Sequence, residues 1–379
     1  MLQVLPELHS GGVERGTVEL SKALVKNGFK SIVASAGGHM VNQIENSGGI
    51  HIQLPLASKN PFQIRKNSDA LISIIEDYEV DIVHARSRAP AWSAYFACKK
   101  TGCHFVTTVH GTYSIGNPIK KRYNSIMMRG EQVIAVSGFI KDYIIKNYDI
   151  DEKKIHLIHR GVDLNHFDRD LVPERRVLQK AKELNVDLDR QVILLPGRLT
   201  KWKGHDFLME ALVGIDKSKY ICLFVGSINK HPEYLKRLTN RIEKLGLNGN
   251  IRIINNVVDM PALYTVVDIV ISASTRPEAF GRIAVEAQAM EKLLIATNHG
   301  GTCETVIDGK TGWLVEPGNV EEFKNTLEKV LDISDKQREE VTKSAKRHVQ
   351  SNFSLDGMTS KTIHIYENII HKSAKGKKI

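Results

Sequence analysis

Arg276-Pro277-Glu278-Ala279-Phe280-Gly281-Arg282-Ile283-Ala284-Val285-Glu286-Ala287 is the stretch that decides how this chain reads. An apolar run, Val266 to Ala273, precedes it, and Gly281 opens a segment with helical spacing. The stretch is therefore a loop leading from a buried strand into a helix. The first amides of such a helix lack partners within it and point into the crevice at the strand's end, so an anion belongs there. Glu278, just before the helix, is placed to accept hydrogen bonds from hydroxyl groups, and Glu286, about one turn in, to reach a ribose. Two solvated glutamates beside an ordinary helix start would look the same in isolation. The surrounding chain separates the two readings.

Short β-branched runs alternate with helical patterns: Gln3–Leu5, Ser31–Ala34, Ile52–Leu54, Ile82–His84, Phe105–Val109, Gln132–Val136 and Ile155–Ile158. The rhythm restarts with Val192–Leu195, Ile221–Val225, Ile251–Ile254, Ile269–Ser272, Leu293–Ala296 and Gly312–Val315. Strand–helix alternation of this kind predicts βαβ units and parallel sheets, here two doubly wound α/β domains. The polar segment from Asp168 to Arg190 is expected to connect them. The expected division is residues 1–168, residues 169–354, and a helical C-terminus over 355–379. In that last part Ile363, Tyr366 and Ile370 recur at helical spacing. This helix could pack on either domain and is assigned to the N-terminal one.

Bulk properties narrow the class. A chain of 379 residues, 42% hydrophobic and 25% charged, has enough apolar material for two cores and the composition of a globular protein. It contains no apolar run of the ~18 residues that a membrane span needs, and its start lacks a secretory signal pattern, so a cytoplasmic protein is expected. Cys98, Cys103, Cys222 and Cys303 lack zinc-ligand or disulfide spacing and are expected to be reduced, buried thiols. The net charge of +10 favours anionic partners, although Lys372, Lys375, Lys377 and Lys378 place four of those charges in the terminal tail. The tail reads as a solvated end, with a membrane-surface contact as the sharper alternative.

Two further loop-to-helix turns carry ligand chemistry. Glu7-Leu8-His9-Ser10-Gly11-Gly12-Val13-Glu14-Arg15 precedes an amphipathic helix, and adjacent glycines let backbone approach a ligand without a Cβ in the way. Gly197-Arg198-Leu199-Thr200-Lys201-Trp202-Lys203-Gly204 follows an apolar strand directly. Arg198 and Lys203 therefore project from a strand end, one with a two-pronged guanidinium and one with a movable point charge, and a diphosphate fits between them.

Taken in order, Gly11-Gly12-Val13-Glu14-Arg15, Val109-His110-Gly111, Ala135-Val136-Ser137, Arg160-Gly161-Val162-Asp163, Gly197-Arg198 with Lys203-Gly204, and Glu278 with Phe280-Gly281 and Glu286 span nearly the whole chain. With these motifs the sequence resembles the family four retaining glycosyltransferases, whose GT-B fold has two facing Rossmann-like domains. Ala279 stands where that family usually has a glycine, a departure that bears on loop flexibility and not on charge. The first strand also starts almost at Met1, whereas relatives usually carry a few residues before it, so a shortened central strand is expected.

The resemblance implies catalytic roles for His110, Arg198, Lys203 and Glu278, and substrate contacts from Gly11, Gly12, Gly111, Phe280, Gly281, Arg282 and Glu286. Arg198 and Lys203 would neutralise the departing nucleoside diphosphate, Glu286 would hold the ribose, and Glu278 the sugar hydroxyls. His110 looks like the residue that approaches the donor sugar from the first domain. The implied reaction is hexosyl transfer from a nucleoside-diphosphate sugar, UDP-linked, to a glycolipid or saccharide acceptor of lipopolysaccharide or capsule assembly. No cofactor, metal or nucleic acid is implied.

Asp149-Ile150-Asp151 and Asp187-Leu188-Asp189 have metal-binding spacing but lie in polar connecting stretches, which favours exposed turns. Glu278 and Glu286 could serve as the carboxylate pair of a glycosidase, but a diphosphate grip beside them would then have no purpose. A nucleotide-sugar epimerase on the same fold and a non-catalytic lipid- or polyanion-binding protein are the rival functions. On the acceptor side, Asn117 to Arg129 mixes basic and apolar residues, with Lys59, Arg65, Lys66, Arg86 and Arg88 adding charge nearby in sequence. Such a segment can rest on the anionic inner face of the cytoplasmic membrane, or its apolar residues can be core and its lysines a solvated face.

Overall fold

The computed structural model describes residues 1–9, 11–186, 189–228 and 232–376, without the side chains of 374–376. Ser10, Asp187, Leu188, Lys377, Lys378 and the side chain of Lys375, all singled out above, lie outside this description. The chain divides into two units, residues 1–161 with 355–379 and residues 162–354.

Among the described residues the first unit has a seven-stranded parallel sheet: β1 Leu2–Val4, β2 Ile32–Ser35, β3 Ile50–Gln53, β4 Ile82–Ala85, β5 His104–Val109, β6 Gln132–Ala135 and β7 Ile155–Leu157. Its order is β3-β2-β1-β4-β5-β6-β7, so the three-residue β1 is central. The second unit has β8 Gln191–Pro196, β9 Tyr220–Val225, β10 Ile251–Ile254, β11 Ile269–Ser272, β12 Leu293–Thr297 and β13 Trp313–Val315, in the order β10-β9-β8-β11-β12-β13. Every strand in both sheets is parallel to its neighbours. A parallel sheet sandwiched by helices buries both faces, and side chains alternate across it. In the second unit Ile193, Leu195, Cys222, Phe224, Ile269 and Ile271 pack into one core. Their neighbours Val192, Leu194, Ile221, Leu223 and Val270 pack into another on the opposite face.

The charged stretch Asp168–Arg190 is not the connection. It carries the helix Glu174–Leu184, which buries Leu184 and packs on the helix Met260–Val266, with Arg176 paired to Asp259 at 2.6 Å. Its charge is that of a solvated helix face. Val162 and Phe167 lie in the second unit's core, so the first unit ends at Gly161, ahead of the expected boundary.

The helix Leu355–Gly376 belongs to the first unit, where Ile363, Ile365, Tyr366 and Ile369 join Met1, Leu20, Ile82 and Val106 in one core. Tyr366 is fully buried, and its hydroxyl lies 2.5 Å from Nδ1 of His84, whose Nε2 lies 2.7 Å from Oγ1 of Thr108. The buried imidazole thus has a partner at each nitrogen. Burial, and then the charge of Arg86, holds His84 well below the ordinary histidine range. Of the four thiols, all free, Cys98 and Cys222 are buried and Cys103 is half-buried. Cys303 is exposed, against expectation, because it sits in the short surface helix Thr302–Thr305.

Removing the hydroxyl in Tyr366→Phe leaves one His84 nitrogen without its partner and should cost the first unit about 1–3 kcal/mol. Amide exchange through Leu355–Gly376 should accelerate accordingly.

Candidate active site

In a doubly wound sheet the crevice for a ligand opens at the carboxyl ends of the strands where the order reverses. In the second unit that point lies between β8 and β11, and the loops leaving these strands carry Arg198–Lys203 and Ala273–Gly281. Gly204 joins them. Its backbone is left-handed, at φ 79°, and a Cβ there would stand 1.7 Å from the carbonyl oxygen of Ala273. Only glycine lets the loops touch. The amide of Thr275 donates to the carbonyl of Trp202 at 2.7 Å.

Lys203 and Glu278 meet at this junction, Nζ to Oε1 at 2.5 Å, with side chains 10% and 15% exposed. The hydroxyl of Ser274 donates to the same oxygen at 2.5 Å. Both donors reach Oε1; among the described residues no protein donor reaches Oε2. Burial pushes the Glu278 carboxyl up, but the charge and hydrogen bond of Lys203, the bond from Ser274 and the charge of Arg198 together hold it below its ordinary 4.5. Arg198 is exposed and lies 5.6 Å from the Trp202 ring, and Lys203 lies 4.4 Å from the same ring. A third loop, after β12, closes around Glu278: the amide of Gly301 donates to its carbonyl at 2.8 Å, and Nε2 of His299 donates to the carbonyl of Ser274 at 2.7 Å.

The helix Arg282–Ala289 starts from Gly281, which is left-handed at φ 88°. Phe280 is buried and packs edge-on against Phe353, so its ring anchors the loop in the core. Glu286, one turn in, accepts from Tyr264 at 3.3 Å and from Nε of Arg282 at 3.4 Å. Arg198, Lys203, Glu278, Gly281, Arg282 and Glu286 thus gather at one end of one sheet. Ser274, Trp202, His299 and Gly301 were not singled out individually from sequence; the signal for the last two is a small-residue loop directly after an apolar strand.

In the first unit the order reverses between β1 and β4. Gly11 and Gly12 follow β1, Arg86 follows β4, and His110 and Gly111 follow β5. Arg160 brings two of these loops together. Its Nη2 donates to the carbonyl of Gly12, its Nη1 donates to Nδ1 of His110 at 3.3 Å, and Glu19 lies 4.0 Å away. Arg86 is buried and not part of a surface patch. Burial, then Arg86, Arg160 and His84, hold His110 well below the ordinary histidine range.

The mixed segment 117–129 forms the helix Pro118–Asn124 and the turn Ser125–Met128. Ile126 and Met127 are core, whereas Lys120, Lys121 and Arg122 are exposed. Lys121, Arg122 and Arg129 help line an open groove of about 510 Å³. Arg88 is committed elsewhere, stacked on Tyr113 and donating to Asn124. Asp151 accepts from the amide of Lys153, which accounts for it as a cap. No described helix is long and apolar enough to cross a membrane.

Two parallel-sheet α/β units with polar loops gathered at their switch points define the GT-B class of protein. The pattern described as Glycosyltransferase Family 4 matches residues 10–166, and that described as Glycosyl transferases group 1 matches residues 178–348. A glycosyltransferase from Rickettsia africae ESF-5 superposes with a TM-score of 0.91 at 44% identity, over 97% of this chain and 98% of that one. HepE of Anabaena, crystallised with UDP and glucose, superposes at 0.85 with 20% identity over 97% and 99% of the two chains. The capsular polysaccharide biosynthesis glycosyltransferase CapM of Staphylococcus aureus is 27% identical over 66% of this chain and 65% of its own length. The chain belongs to the glycosyltransferases of the family 4 type.

Because Glu278 titrates below its ordinary value, its stabilising contribution is present above that value and is lost as pH falls through the lower folded-state value. In Lys203→Met burial remains the largest influence and should drive the carboxyl up. The destabilisation should therefore be small near about pH 4 and grow toward neutrality, to about 3–5 kcal/mol. Denaturant titrations of this variant, and of Lys203→Met with Glu278→Gln, should show the pH dependence in the first and not in the second.

Proposed function

We propose that this chain is a retaining, metal-independent hexosyltransferase that uses a nucleoside-diphosphate sugar, UDP-linked, as donor. The observation that carries the reading is the Lys203–Glu278 pair, which places a cation and a carboxylate with an unengaged Oε2 beside the start of the helix Arg282–Ala289. Arg198, Lys203 and the first-turn amides of that helix would stabilise the negative charge that grows on the diphosphate as the glycosidic bond breaks. When the diphosphate draws Lys203 toward itself, Glu278 is released to accept from sugar hydroxyls. Glu286, held by Tyr264 and Arg282, would take the ribose. Transfer would proceed on one face of the donor, with the leaving phosphate deprotonating the acceptor, so neither a metal nor a protein nucleophile is required.

The UDP and glucose bound to HepE support the choice of donor, and CapM supports an acceptor of cell-envelope polysaccharide or glycolipid assembly. For such an amphiphilic acceptor we place the enzyme in the cytoplasm, at the inner face of the membrane. Exposed Lys120, Lys121 and Arg122 would meet anionic headgroups there.

Thermal-shift measurements against UDP-, GDP- and ADP-sugars test the donor: a UDP-sugar at 100 times its dissociation constant adds about 2.7 kcal/mol to folding stability. Arg198→Ala, an exposed substitution, should weaken that binding roughly 10- to 100-fold, the loss of charge-assisted hydrogen bonds worth about 1.5–3 kcal/mol, while the ligand-free melting temperature stays put. A protein that responds to no nucleotide sugar is not this enzyme.

A further inference from the structure

Two loops of the first unit are tied together by a side chain that none of the roles above uses. Arg160 is 5% exposed, and its guanidinium donates to the carbonyl of Gly12 and to Nδ1 of His110. A guanidinium has only donors. Nδ1 of His110 must therefore be the acceptor, and the single proton of the uncharged ring sits on Nε2. That nitrogen is buried with no acceptor among the described residues, although the residue as a whole is partly exposed. An orphaned donor of this kind needs an explanation, and an arriving ligand oxygen supplies one.

The helix Gly12–Lys26 carries the matching concession. Gly16 lies inside it, where glycine is normally disfavoured, with no left-handed backbone to justify it. A Cβ at Gly16 would stand 2.2 Å from Nη2 of Arg160 and 2.6 Å from its Cζ. The guanidinium occupies the space that a methyl group would need. Glu19, one turn further along the same helix, supplies the countercharge.

We propose that Arg160 is a positioning residue: it sets the His110 ring with its proton on Nε2, ties that ring to the double-glycine loop, and so presents Nε2–H to an oxygen of a substrate that reaches this end of the first unit's sheet. This rests on the donor assignment above only for the identity of the oxygen. The tautomer and the strut belong to the ligand-free protein.

Selective ¹⁵N labelling of histidine, with His110→Gln to assign the signal, reads the tautomer directly. The wild-type ring should carry its proton on Nε2. Arg160→Met should give a mixture of tautomers and an upward-moved titration, and should lower kcat for hydrolysis of UDP-glucose about tenfold with KM changed less than about twofold; tenfold is about 1.4 kcal/mol of barrier. Gly16→Ala displaces the guanidinium without removing it and should reproduce both effects; because the tautomer is read on folded protein, it separates positioning from loss of fold even where the melting temperature falls. A wild-type ring protonated on Nδ1, or variants that keep the wild-type tautomer and kcat, overturns the proposal. Failure to bind any nucleotide sugar, with the tautomer as expected, would overturn the donor assignment and leave the strut standing.

Discussion

The buried pair of Lys203 and Glu278 is the constraint around which the second unit's site is organised. Two opposite charges withdrawn from water are costly unless each satisfies the other and further hydrogen bonds complete them. Here Ser274 adds one such bond, and three loops from three strands must be held in register for the contact to form. Gly204 permits the approach on one side. On the other, a Cβ at Gly300 would stand 2.5 Å from the carbonyl oxygen of Glu278. The glycines around the site are thus packing requirements of an ion pair, and not signs of looseness.

The first unit meets a similar problem differently. Arg86 and Arg160 are both buried near the ends of its central strands, and Glu19 acts on both. The charges of these arginines add to burial in keeping the neighbouring histidines uncharged. At each switch point a buried cation has a carboxylate beside it: Lys203 bonds to Glu278 directly, whereas Arg160 bonds to the backbone of Gly12 with Glu19 4.0 Å away.

Much of the fold was legible because parallel strands buried on both faces read as unbroken β-branched runs. All thirteen appear within a residue or two of the expected positions. The helix Glu174–Leu184 was misread because an exposed amphipathic face and a polar linker share a composition, and only its contact with Met260–Val266 separates them. In the site, Arg198, Lys203, Glu278 and Glu286 were visible as charges at strand-to-helix turns. Ser274 and Arg160 were not, since a serine or an arginine acquires its role only when the fold brings a distant partner to it. The spacing of Arg160 from Gly12 and His110 along the chain carries no hint of the contact.

The first unit is discontinuous, and that shapes how the chain is built. Its core around Met1, Leu20, Ile82 and Val106 is completed by Ile363, Tyr366 and Ile369, whereas residues 162–354 form the second unit without interruption. During synthesis from the amino terminus, the half made first must wait with an open apolar seam, and with Nδ1 of His84 lacking its partner, until the helix Leu355–Gly376 leaves the ribosome. The half made second has its full complement of residues sooner. Truncation near the carboxyl terminus therefore wounds the opposite end of the polypeptide.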